Sequence, residues 1–116
     1  MNRPCKAHEL KILPEYYEAV VSGEKNFEIR KNDRGFEVGD ILILKEWYHG
    51  RYTGRQVNKR VQYIYHGNGT YGLSENYCVL GLQGNTVNIR MEGNNNTQIG
   101  YVQNMTIYEG EKETEK

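Results

Sequence analysis

The sequence predicts an α+β domain that is mainly β: a small five-stranded barrel, one short helix packed across it, and a C-terminal β extension. Two observations carry this. Short apolar runs recur along the chain, each closed by Gly, Pro, Asn or Asp turn chemistry, and one stretch alone has helical spacing. In addition, 116 residues with a 37% hydrophobic share suffice for one modest core and not two.

His8 to Ile12 alternates polar and apolar and reads as the first strand. Pro14 suits a first helical position, where its missing N–H costs nothing, and Glu15 complements the helix N-terminus. Leu13, Tyr17, Val20 and Val21 are expected on one helix face, with Gly23 as a left-handed stop. Lys25 to Lys31 is the second strand, with the apolar anchors Phe27 and Ile29 on one side and Asn26, Glu28 and Arg30 on the other. Residues 31–35 are turn chemistry, and Val38-Gly39-Asp40 makes a corner. Ile41 to Leu44 is a continuous apolar run, as expected of a strand buried on both faces. Gly50 to Gly54 is read as a break. Val57, Lys59, Val61, Tyr63 and Tyr65 alternate as a fourth strand, and Tyr77 to Leu82 closes as a fifth.

Past Gln83 the composition shifts. Residues 1–82 are expected to form the barrel domain, 83–108 an Asn-rich β extension, and 109–116 a disordered charged tail. The extension is too polar to hold a core by itself, so residues 84–108 are expected to pair with copies from another chain as a homo-oligomer.

Formal net charge is zero, so contact with a polyanion requires a local patch. The two cysteines lie far apart, no apolar leader or membrane span is evident, and free thiols in a cytoplasmic protein are expected, with no membrane partner. His8, His49 and His66 have no ligand spacing, so neither a metal nor another cofactor is expected.

The densest candidate site is Lys25 to Arg34, where four cations and two carboxylates accompany the two apolar anchors. Glu28 and Arg30 are two apart on a strand and share a face. A carboxylate there can accept from a base edge while the guanidinium holds phosphate or stacks on a ring; the competing reading is a salt bridge on a solvated strand face. Trp47, Tyr48, Tyr52 and Tyr71 are candidate stacking platforms, or else edge cover for a thin core. Arg51 and Arg55 would contact phosphate if the Tyr52-Thr53-Gly54-Arg55 turn folds over a cleft. Glu46 follows the buried strand and is a possible second carboxylate for acid/base work with Glu28.

Gly23-Glu24-Lys25-Asn26-Phe27-Glu28-Ile29-Arg30, with Val38-Gly39-Asp40-Ile41-Leu42-Ile43-Leu44 and Tyr52-Thr53-Gly54-Arg55 downstream, resembles the ASCH branch of the PUA-like superfamily from about His8 to Leu82. More specifically, it is similar to a subfamily of small bacterial and phage proteins. The resemblance implies a five-stranded PUA-like (ASCH) β-barrel whose helix and barrel enclose a cleft for RNA or a nucleotide-like small molecule. His8, Lys11, Lys25, Glu28, Arg30, Trp47, Arg55 and Tyr71 are the candidate ligand-binding residues. Some ASCH relatives are amidohydrolases on acetylated cytidine, using a lysine and a threonine three residues later. Lys25 matches the lysine, but Glu28 stands at the threonine position, so the nucleophilic hydroxyl is missing. A non-catalytic RNA- or nucleotide-binding module is therefore the first expectation. The alternatives are an amidohydrolase or nuclease using Lys25, Glu28 and Glu46, and a self-assembling interaction protein or a phage protein that sequesters a nucleotide signal.

Overall fold

The structure is a computed structural model and describes residues 6–91 and 105–109. The first strand, β1 (Ala7–Ile12), leads directly into α1 (Pro14–Ser22). Pro14 occupies the first helical turn, and Gly23 ends the helix with φ 89°, its N–H donating to the Val20 carbonyl. Tyr17 and Val20 form the buried stripe of the helix. Val21 is exposed, because adjacent residues are about 100° apart around a helix.

β2 (Phe27–Lys31), β3 (Ile41–Tyr48), β4 (Arg51–His66), β5 (Tyr77–Met91) and β6 (Met105–Glu109) complete the chain. The sheet order is β1-β3-β4-β5-β2, with β6 on β5. β1 runs parallel to β3, and the other pairs are antiparallel. This is the expected mainly β fold, a curled five-strand half-barrel with one helix. Ile41 to Leu44 are all buried, as their unbroken apolar run requires.

β3, β4 and β5 all run longer than predicted, and bulges accommodate the added residues, whereas β2 begins at Phe27 and leaves Lys25 and Asn26 in the loop before it. The chain reverses at His49-Gly50, and Tyr52-Thr53-Gly54-Arg55 is a bulge inside β4 rather than a turn: β3 advances from Lys45 to Trp47 while β4 passes from Gln56 to Tyr52. A second bulge lies in β5, where Lys59 pairs with Thr86 but Val61 pairs with Leu82. A third irregularity between Val61 and Tyr63 flips the strand, so Val57, Lys59 and Val61 are buried whereas Tyr63 is exposed. β5 runs through the expected domain boundary at Leu82 without interruption, and its residues 87–91 pair with 105–109 of the same chain. Most of the proposed oligomerising segment, residues 92–104, lies outside the described residues, as do 110–116 of the expected tail.

The half-barrel does not close. β1 and β2 are its two free edges, and side chains bridge them: Arg30 donates to the Lys11 carbonyl (2.7 Å) and Arg34 to the Glu9 carbonyl (3.0 Å). α1 packs on β3 and β4, and its first turn borders the seam. No helix among the described residues is long and apolar enough to cross a membrane.

Candidate functional site at the open seam

The periodicity of β2 is as predicted, but its inward face is the charged one. Glu28 is buried (4% exposed), while Phe27 and Ile29, expected as anchors, are 38% and 53% exposed. Register explains this. Glu28 pairs with the buried Leu80 and shares its inward direction, so its neighbours 27 and 29 point out. Apolar-out and polar-in is the reverse of a stability-optimised strand.

Behind that inversion lies a cavity of about 460 Å³, lined by the ends of β1 and α1 and by β2. That volume falls within the range of small-molecule sites. Leu13 and Tyr16 form its α1 side, and Lys11, Lys25, Glu28 and Arg30 supply its charge, three cations against one carboxylate. Glu28 holds the group together. It accepts from Lys25 Nζ at 2.7 Å and from Arg30 Nε at 3.1 Å. Lys25 also donates to the Phe27 carbonyl at 2.8 Å, and its ammonium lies 5.5 Å and 5.1 Å from the Tyr16 and Phe27 ring centres, within cation–π range. The Glu28–Arg30 salt bridge forms, and it forms in a cavity wall rather than on a solvated face.

The main chain contributes as well. Leu82 N–H donates to the Asn26 carbonyl and Asn32 N–H to the Asn76 carbonyl, so residues 26, 28, 30 and 32 face β5. The N–H and C=O of Ile29 consequently point away from β5, toward the seam, as a fixed donor and acceptor.

Other predicted residues lie elsewhere. His8 is buried against Asp40 (Nε2 to Oδ2, 2.9 Å) and the Phe36 ring, four residues before the cavity end of β1 and roughly 13 Å along the strand. Glu46 and Arg55 are not in the cavity wall. The Thr53–Arg55 bulge turns both of its side chains onto Glu46, which accepts from Thr53 Oγ1 (2.6 Å), Arg55 Nε (2.9 Å) and Arg55 Nη2 (2.9 Å). Arg55 continues to Glu18 of α1 (2.7 Å), so it clamps the helix instead of awaiting phosphate. The hydrogen bonds from Arg55 and Thr53 hold the Glu46 carboxyl below its ordinary range, which suits a fixed anion and not a proton carrier. Glu28 and Glu46 are thus held by different cations.

Trp47 touches the site indirectly. Lys11, a cavity residue, lies 3.9 Å over its ring, and Tyr52 packs edge-on against it at 4.8 Å. Tyr71 is 90% exposed on the β4–β5 loop and is not a lining residue. Tyr16, Leu13 and the outward pair Phe27 and Ile29 are the lining residues that the sequence did not reveal as such. The sulfur of Cys78 is buried, which pushes its thiol pKa up and leaves it a poor nucleophile. Among the described residues, no cluster of three or more His, Cys, Asp or Glu is arranged to hold a metal.

Residues 7–82 match the family described as a domain of unknown function, DUF3850. The chain belongs to the DUF3850 family. The matched region contains the whole half-barrel up to Leu82, including every residue of the seam cavity. The chain is also similar to the uncharacterized 12.9 kDa protein in the GpA 3'region of Escherichia phage P2, with 48% identity over 57 residues. That alignment covers 49% of this chain and 52% of the phage protein, so the chain spans about half the length of the relative it matches.

Proposed function

We propose that this DUF3850 protein is a non-catalytic binding module for a nucleotide-like ligand, free or as one residue of an RNA, held in the seam cavity. The observation that carries this is the inverted strand β2, whose Glu28 and Arg30, joined by Lys25 from the preceding loop, lie in the wall of a largely apolar cavity beside the free main-chain edge of Ile29. An aromatic ring with polar edges suits such a site: Tyr16, Phe27 and Leu13 offer faces, and Ile29 and Glu28 offer a donor and acceptors. The surplus of two positive charges among the lining residues favours an anionic ligand.

The helix bordering an open barrel seam also supports placing the family near the ASCH branch, whose cleft would coincide with this cavity. Absence of a hydroxyl at position 28 and the separate tethering of Glu46 favour binding over hydrolysis. A free, buried Cys78 thiol supports a cytoplasmic setting.

Calorimetric titration of the four ribonucleosides, their 5′-monophosphates and a short oligoribonucleotide tests the proposal. Binding that is lost in Lys25→Ala and Arg30→Met is expected. A steep decline of affinity with salt identifies RNA, and a shallow one a free nucleotide. No binding at millimolar ligand sinks the proposal, and Lys25-dependent turnover of an acylated nucleoside replaces it with the enzyme reading.

A further inference from the structure

We propose that Lys59, together with Lys25, forms an oxyanion subsite that takes the phosphoryl group of the ligand. This rests on the seam cavity being a nucleotide site and goes beyond it by assigning a second, separate pocket. Lys59 is an inward residue of β4 between Val57 and Val61, and only 6% of it is exposed. Among the described residues it has no carboxylate partner. Its ammonium donates to one acceptor, the Gly84 carbonyl at 2.8 Å. An ammonium carries three protons, so two remain available.

Those protons belong to a residue that lines a cavity of about 210 Å³, next to the first one. Its polar lining is Lys25, Asn26, Lys59, Gln62 and Gln83, with no carboxylate among them; the Lys25 ammonium already donates to Glu28 and the Phe27 carbonyl and has one proton left to share, so Lys59 is the principal cation of this pocket. Lys25 belongs to both cavities and is the wall between them. The β5 bulge accounts for the site: the extra residues between Leu82 and Thr86 bring the Gly84 carbonyl to Lys59, tethering the ammonium at the rim.

Buried lysines are ordinarily paired with a carboxylate, because an uncompensated charge is costly to desolvate. A core lysine facing an anion-free polar cavity, next to a second lysine, has the charge complementarity of an unfilled oxyanion site. Burial also lowers the Lys59 pKa, and a bound anion would reverse that shift. Ammonium and amide donors around a small hollow suit a tetrahedral oxyanion, and the shared Lys25 wall places it beside a base in the larger cavity.

The experiment uses the full chain with side-chain-labelled lysine. Lys59 is titrated by NMR with and without inorganic phosphate, and nucleoside and 5′-monophosphate affinities are compared in wild type and Lys59→Met. Phosphate is expected to raise the Lys59 pKa. The monophosphate is expected to bind about ten-fold tighter than the nucleoside, an advantage that disappears in Lys59→Met while nucleoside affinity holds. If nucleosides bind but the phosphate advantage is absent, or survives in Lys59→Met, the subsite is overturned and the cavity reading stands. If no nucleoside or nucleotide binds yet phosphate still moves the Lys59 titration, the anion site stands and the nucleotide reading falls. A wild-type Lys59 titration unmoved by phosphate overturns the subsite whether or not the variant folds.

Discussion

Glu28→Gln is the most informative single perturbation of this fold, because one carboxylate compensates two neighbouring cations. Glu28 has a side chain 5% exposed, against 19% for Lys25 and 24% for Arg30. The amide retains one acceptor but sets its NH₂ against whichever cation lost its partner. One charge-assisted hydrogen bond disappears, worth about 1.5–3 kcal/mol, and Lys25 and Arg30 are left to repel each other. Removing one partner of a fully buried pair costs about 3–5 kcal/mol. Both cations keep some contact with water, so a loss of about 2–3 kcal/mol is expected here. Urea unfolding is the appropriate assay, since guanidinium chloride would screen the interaction it is meant to measure. With a slope of about 1.5 kcal/mol/M, the midpoint should fall by about 1.3–2 M. In a Lys25→Met background the same substitution should cost much less, because one of the two charges is already gone. A change within about 0.5 kcal/mol of wild type would show an ordinary solvated ion pair and refute the argument that β2 turns a structured charged face inward.

Gly67→Ala should destabilise the protein by about 1–3 kcal/mol, toward the upper end, because a Cβ there would meet the Ser74 and Tyr77 carbonyl oxygens, which are main chain and cannot swing aside; thermal unfolding measures it. Glu46→Gln should narrow stability at neutral pH only. A carboxyl held below its ordinary pKa stabilises the fold above the unfolded value of about 4.3 and loses that contribution as pH falls through its lower folded value, so the wild-type and variant stability curves should converge in acid. Tyr71→Ala should leave both stability and ligand affinity within error, since that ring is exposed, sits at φ 58° and is absent from the cavity; a loss of affinity would bring the β4–β5 loop into the site.

Much of the half-barrel was legible because strands and helices leave short-range marks. Pro14 and Gly23 bracket α1 by backbone chemistry that each residue carries with it. Ile41 to Leu44 have one reasonable location, a strand covered on both faces. The Lys25, Glu28 and Arg30 cluster was visible in part: Glu28 and Arg30 are two apart on β2 and share a face, whereas Lys25 reaches them from the loop before the strand. Lys59 left a mark too: a lysine at an inward position between Val57 and Val61 contradicts its own strand pattern.

Composition and local spacing thus located the centre of each barrel strand and the two ends of the helix, and showed that Glu28 and Arg30 share a face. They left open whether that face meets the core or the water, because a strand's period is the same either way up, and pairing with Leu80 made the choice. The bulges that send Arg55 to Glu46 and the Gly84 carbonyl to Lys59 arise from mismatched lengths of paired strands. Strand register is a property of two segments at once, so it exists only when the sheet is assembled.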